Sequence, residues 1–355
     1  MEKLIKTIAM CLPLAIAFGQ TPVEKSYFGQ TKNGRFNGFG VVSYEDGSTF
    51  QGNFINGKRE GLGTFESTEG EFTTGIYSND KFESNYKYPN PWHVLDIYYD
   101  FEQIEQEPLE SYSIDFELFN NVSDTYNLYI APFGLGTING IQFYGGIQTH
   151  CGGYNDVNHK KKKTPFTDLG RAIIFSRWDE TQGEAIEMEK GGVCEIGDYE
   201  GNFISVRNHF EWSKGKYTIS LNVTDKKVKL NDSIHTMVGM WIHSHETGER
   251  VNAGYMAFPG DKLYLNSNLA IFAEMYNESR DLEETPKLKM AFNNFQFNGK
   301  PVGLIEPVAI FPYNKPQWAD ARCSGNDIDA LIGFPFIRNS VYFDDENAII
   351  YLRDY

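Results

Sequence analysis

The residues most capable of chemistry sit in the run Gly145-Gly146-Ile147-Gln148-Thr149-His150. Its composition reads as a strand, and Gln148 and His150, two apart, leave the same face of one. Tyr144 is in phase with both. Arg177 and Trp178 follow in a second strand-like run, Ile173-Ile174-Phe175-Ser176-Arg177-Trp178. An amide, an imidazole, a phenol and a guanidinium on one face form the set that eliminates across an acidic sugar. Gln or Arg would neutralise the uronate, and His or Tyr would take the proton. The same face could hold a ligand without reacting, with Trp178 as a flat stacking surface, or be the ordinary polar side of a strand. The favoured reading of Tyr144, Gln148, His150, Arg177 and Trp178 is a ligand-binding face. No residue is assigned as catalytic, and a lyase built on His150, Tyr144, Gln148 and Arg177 is the enzyme alternative.

Other constellations are thinner. His243 and His245 alternate after Trp241 and could pair on a metal, but a zinc site needs a third ligand brought in by folding. No metal site is therefore expected. Asp179, Glu180, Glu184, Glu187 and Glu189 make an acidic stretch, which reads as a solvated edge. Calcium is the one cofactor such carboxylates could take, and otherwise none is expected. His159-Lys160-Lys161-Lys162-Lys163 is the one basic run, set in a polar loop, and could meet an anion. Trp212 and Trp241 are alternative stacking rings, Trp241 reading as core. No nucleophile elbow, phosphate loop, paired-cysteine zinc motif or dinucleotide fingerprint is present.

The elements that would position these side chains are strands. The chain has 355 residues, 41% hydrophobic and 15% aromatic, too apolar for disorder. From Trp92 onward short alternating runs recur at sandwich spacing, among them Tyr112 to Phe119, Gly140 to Thr149, Phe203 to Arg207, Tyr217 to Val223, His235 to His243 and Lys289 to Phe297. No amphipathic helix interrupts them. The expected fold is all-β, with a large antiparallel sandwich over 92–355. Tyr88-Pro89-Asn90-Pro91 marks its start.

Charge and leader narrow the location. The net charge of −16 excludes a cationic nucleic-acid footprint. Lys3 and Lys6, an apolar run from Thr7 to Phe18, and Ala15, Ala17 and Gly19 read as a signal peptide over 1–19. The run is too short to span a bilayer, and no transmembrane segment is expected. The chain is thus expected in the periplasm, on the cell surface or outside the cell. Three cysteines follow the leader, Cys151, Cys194 and Cys323, so at most one internal bridge can form.

A repeat precedes the sandwich. Gly29, Gly34, Gly38, Gly40 and Gly47 recur as Gly52, Gly57, Gly61, Gly63 and Gly70, each displaced by 23 residues. Asp46-Gly47 and Asn56-Gly57 read as hairpin turns. Ser48 to Phe54 reads as a strand with its aromatics on one face. A decayed third copy starts at Phe72. Tyr27-Phe28-Gly29, Asn33-Gly34, Gly38-Phe39-Gly40 and their second copies resemble the MORN repeat over residues 26–80. Thr31 departs from the aromatic usual there. The resemblance implies a β-hairpin ribbon that docks protein partners. Lipid contact is not expected, because Lys58-Arg59 is the segment's one basic pair.

A second resemblance covers residues 110–300. Gly145-Gly146-Ile147-Gln148-Thr149, Tyr199-Glu200-Gly201-Asn202, Trp212-Ser213-Lys214-Gly215-Lys216-Tyr217 and His235 to Trp241 follow one another as in the secreted bacterial domain-of-unknown-function family numbered 3472. That resemblance implies a concanavalin or jelly-roll-like sandwich and export, and glycan contact by analogy. The combined expectation is an exported, non-enzymatic protein that binds a glycan or another cell-surface polymer. A hydrolase or lyase on the same fold and an adhesive envelope scaffold are the rivals.

Overall fold

The computed structural model describes residues 23–88, 91–101, 107–199, 201–276, 280–311, 318–337, 342–343 and 348–352. The leader over 1–19 lies outside them, as do Pro89 and Asn90 of the expected boundary. Among the described residues strands dominate, and the helical elements are two short 3-10 turns. No helix among the described residues is long and apolar enough to cross a membrane.

The repeat folds as a six-stranded antiparallel ribbon in chain order. Its strands are β1 (Glu24–Lys32), β2 (Arg35–Tyr44), β3 (Thr49–Ile55), β4 (Lys58–Glu66), β5 (Phe72–Ser78) and β6 (Lys81–Asn85). The last two carry the third copy, so it completes the ribbon. Gly29, Gly40, Gly52, Gly63 and Gly75 stand opposite one another across five strands. They leave room for rings lying over the sheet: a Cβ at Gly63 would fall 2.2 Å from the Phe50 ring. Asn56 and Gly57 both take left-handed φ, 53° and 87°, as a tight hairpin requires. At the other turn only Gly47 does, and the Asp46 carboxylate accepts from the Ser48 amide at 2.9 Å.

The ribbon has two buried faces. On one, Phe50, Phe54 and Tyr77 pack with Val42 and Tyr44. On the other, Phe39, Val41, Gln51 and Thr64 are buried. Gln51 Nε2 donates to the Phe336 carbonyl at 3.2 Å, so the chain following the last long strand lies on that face.

The remaining strands form two large sheets. In chain order they are β7 (Trp92–Phe101), β8 (Ser111–Leu118), β9 (Leu128–Ile138), β10 (Ile141–Tyr154), β11 (Phe166–Trp178), β12 (Ile186–Glu187), β13 (Val193–Gly197), β14 (Phe203–His209) and β15 (Gly215–Leu230). They continue as β16 (Ser233–Ser244), β17 (Arg250–Pro259), β18 (Leu269–Met275), β19 (Leu288–Phe297), β20 (Lys300–Pro301), β21 (Leu304–Phe311), β22 (Ala319–Ser324), β23 (Asp327–Ile332), β24 (Tyr342–Phe343) and β25 (Ala348–Tyr351). One sheet has ten strands, ordered β11-β14-β13-β10-β9-β18-β7-β21-β25-β24, with β10 and β11 also paired. The other has nine, ordered β12-β17-β16-β15-β8-β19-β23-β22, with β20 attached to β19. All pairings between these strands are antiparallel. Their inner faces bury one continuous apolar cluster, including Ile97, Phe116, Phe143, Phe175, Trp212, Ile219, Met240 and Phe258. The strand β25 pairs back onto the ten-stranded sheet through β21.

Candidate ligand-binding groove

The outer face of the ten-stranded sheet carries its own small apolar cluster. Tyr129, Ala131, Cys151, Ala172 and Ile174 are buried there, with Tyr144, Phe272 and Tyr276 packed against them. The rings meet at angles rather than stacking flat. Tyr129 meets Phe272 at 5.2 Å and Tyr144 at 5.7 Å between centroids, and Tyr144 meets Trp178 at 4.9 Å. Open space lies along this cluster. One cavity, of about 400 Å³, is lined by His93, Asp96, Tyr98, Trp178, Phe272 and Glu274 among others. A second, of about 280 Å³, is lined by Gln148, His150, Phe166, Glu195, Tyr199 and Arg207 among others. Tyr129, Tyr144 and Tyr276 line both, so the two form one groove.

Four of the five expected binding residues are on this face. Tyr144 and Trp178 are half-buried walls. Gln148 donates to Asn127 Oδ1 at 3.0 Å, and His150 is exposed, its Nε2 bonded to the Asp124 carbonyl. Arg177 is the exception and a correction. It is paired opposite Phe143, so it points between the sheets, 1% exposed. There it bonds the Ala257 carbonyl, lies over Phe258 and meets Glu180 at 3.7 Å. Burial holds its pKa down at about 10 against the pull of Glu180 and Asp179. Alternation explains the error: Trp178 faces out, so its neighbour faces in.

The groove's arginine is Arg207 of β14, opposite Ile174. It bonds the Gly152 carbonyl and Glu195, and reaches Ser205 Oγ at 3.1 Å. Glu195 also accepts from the Tyr199 hydroxyl at 3.3 Å. The expected lyase set is not assembled. Tyr144 and His150 lie six residues apart on β10, roughly 20 Å along a strand, and Arg177 is on the other side of the sheet.

At the opposite end is a cluster that the sequence reading missed. His93 Nδ1 lies 2.7 Å from Asp96 Oδ1, and Nε2 lies 3.3 Å from Glu274 Oε1. Burial by itself would lower the imidazole pKa, but hydrogen bonds and charge from the two carboxylates outweigh it and push it up to about 10. His93 is therefore a cation at neutral pH. A proton held that tightly is poorly suited to general acid chemistry, which works best near the operating pH.

The remaining expectations resolve as follows. The rings of His243, near the end of β16, and of His245, in the turn after it, lie 5.2 Å apart, and His245 Nε2 bonds Thr218 Oγ1 at 2.8 Å. No group of three His, Cys, Asp or Glu suited to a metal occurs among the described residues. The acidic stretch is dispersed: Glu180 faces Arg177, Glu187 meets Lys226 at 2.6 Å, and Glu189 accepts from Asn252 at 3.0 Å. That leaves no shared calcium cage. In the basic run, Lys162 meets Asp156 at 2.7 Å and Lys160 meets Asp198 at 3.6 Å. His159 stacks on Tyr154. Trp212 is core; Trp241, expected there, is half-buried under Arg250 at 4.6 Å. The three described cysteines are unbridged.

Comparison with known proteins bears on the ribbon. The MORN repeat family matches residues 27–49 and 50–72, two consecutive repeats. No curated protein matches the chain.

Proposed function

We propose that this is an exported binding protein without catalytic activity, which holds a glycan or another cell-surface polymer in the groove of its ten-stranded sheet. The observation that carries the reading is the groove itself. It is open and elongated, and walled by Tyr129, Tyr144, Trp178, Phe272 and Tyr276. Phe166 and Tyr199 stand at its rim, 60% and 68% exposed. Sugars present apolar faces to such rings and hydroxyls to the polar groups between them. A concanavalin-like arrangement of the sheets, the resemblance to the secreted family numbered 3472 and the leader over 1–19 belong to the same proposal. The test is a thermal-shift and calorimetric screen of residues 20–355 against neutral, basic and acidic polysaccharides. A glycan that binds the folded state raises the melting temperature, and Trp178→Ala should shrink the shift. A flat response across the panel would overturn the reading.

The ribbon supports a second role, that of docking a protein partner. Phe28, Ile55 and Phe72 are exposed on it, and MORN repeats account for residues 27–72. Deleting 26–80 should then abolish a partner assembly while glycan binding persists.

A further inference from the structure

We infer that the His93 end of the groove is a subsite for a protonated amine, carried by an amino sugar of the bound glycan; this rests on the glycan reading above. The charge balance comes first. Asp96 and Glu274 are 9% and 4% exposed and share one imidazolium. Two carboxylates on one cation leave a net negative charge beside a partly dehydrated cavity. Among the described residues, no lysine or arginine lines that cavity. No other described side chain bonds either carboxylate, so acceptor capacity remains for a donor from outside. A buried charge without a partner is costly, and a ligand cation would relieve it.

A second, independent observation points to a ligand. Tyr129 is 2% exposed and lines the same cavity, and its hydroxyl has no hydrogen-bond partner. Buried hydroxyls are normally satisfied. Tyr129 stands directly opposite Glu274 across β9 and β18, and both line the cavity. A bound amine, or the hydroxyl next to it on a sugar ring, would complete the Tyr129 hydroxyl.

The walls suit a cation. Tyr98, Tyr144, Trp178 and Phe272 line the cavity, and aromatic faces attract ammonium groups, most strongly where water is excluded. A uronate would bring a third carboxylate against Asp96 and Glu274 and be repelled. A neutral sugar would make the stacking contacts but leave the charge uncompensated. The protein's net charge of −16 also draws cationic polymers toward it.

The experiment compares two ligands alike except for that charge. Residues 20–355 are titrated calorimetrically with a β-1,4-linked glucosamine hexamer and with its fully N-acetylated counterpart, at slightly acid pH where the free amines are protonated. The glucosamine hexamer should bind about tenfold more tightly or better. Glu274→Gln should erase that preference, and Tyr129→Phe should weaken glucosamine binding by about fivefold with no loss of melting temperature. Equal affinity for the two hexamers, preference for the acetylated one, or an intact preference in folded Glu274→Gln would overturn the assignment. If neither hexamer binds while another glycan of the panel does, the amine subsite falls and the glycan groove stands. If no glycan binds, both fall.

Discussion

His93 and Asp96 face the same side of β7 although they are three residues apart, an interval that in a regular strand puts side chains on opposite faces. The register explains it. Leu95 stands opposite Ala273 and His93 opposite Glu274, so Val94 is an extra residue on its strand. This bulge turns Val94 and Leu95 both into the core and re-aims His93 outward beside Asp96 and Glu274. The groove's charged end depends on one inserted residue.

That cluster makes stability depend on pH. The folded pKa of His93, about 10, lies above its ordinary 6.5, so folding favours the protonated ring. The stabilisation is complete below about pH 6.5 and is lost as pH rises through about 10. The imidazole is 40% exposed, so solvent screening keeps the effect modest. The melting temperature of His93→Gln should lie below that of the native chain near pH 6, with the gap closing towards pH 10. Parallel curves would remove the imidazolium from the account.

Arg177 and Arg207 should separate in their effects. Arg177→Met leaves Glu180 buried without its partner, and breaking a buried pair costs about 3–5 kcal/mol. Urea unfolding should show that loss while glycan affinity is unchanged. Arg207→Met should weaken binding to the groove. A stable Arg177→Met protein that no longer binds would mean the assignment of faces is wrong.

Ring walls should matter for affinity more than for folding. Trp178 and Tyr144 are half-buried and lie against the cavity. Either changed to Ala should lower glycan affinity about tenfold, roughly 1.4 kcal/mol, by calorimetry. A collapse in melting temperature with no change in affinity would make them structural.

In the ribbon, Gly63→Ala should be costly. Its Cβ would meet the Phe50 ring, and overpacking costs about 1–3 kcal/mol. Hydrogen exchange should show faster opening of residues 39–77 with the sandwich amides unaffected. Uniform acceleration would mean that ribbon and sandwich unfold as one unit.

The thiols should differ in reactivity. Cys151 and Cys194 are buried, and burial pushes both up to about 11. Cys323 is half-exposed. In native residues 20–355 a thiol reagent should modify one cysteine quickly and the other two only after denaturant. Three fast thiols would contradict the packing around Cys151 and Cys194.

Much of this was legible from residue order. The glycine column of the ribbon follows from a fixed spacing, and three of its five turns follow from Asn-Gly or Asp-Gly, the other two being Glu69-Gly70 and Asn79-Asp80. The alternating runs from Tyr112 to Phe297 became strands, most of them longer than the runs themselves. Tyr144, Gln148 and His150 share a face because alternation on one strand is a local property. β7 was missed, since Trp92–Phe101 has too many apolar residues in succession to show a period of two. His93 and Asp96 went with it.

Composition, spacing and alternation therefore determined the all-β class, the hairpin repeat and the faces of single strands, because each depends on neighbours within a few residues. The tertiary structure decided which strands became partners, and so which arginine reached the groove. It also placed Glu274 of β18 and Tyr129 of β9 beside His93. Those positions depend on sheet order and on the bulge at Val94, set by how two sheets bury their apolar faces against each other, which local sequence periodicity does not encode.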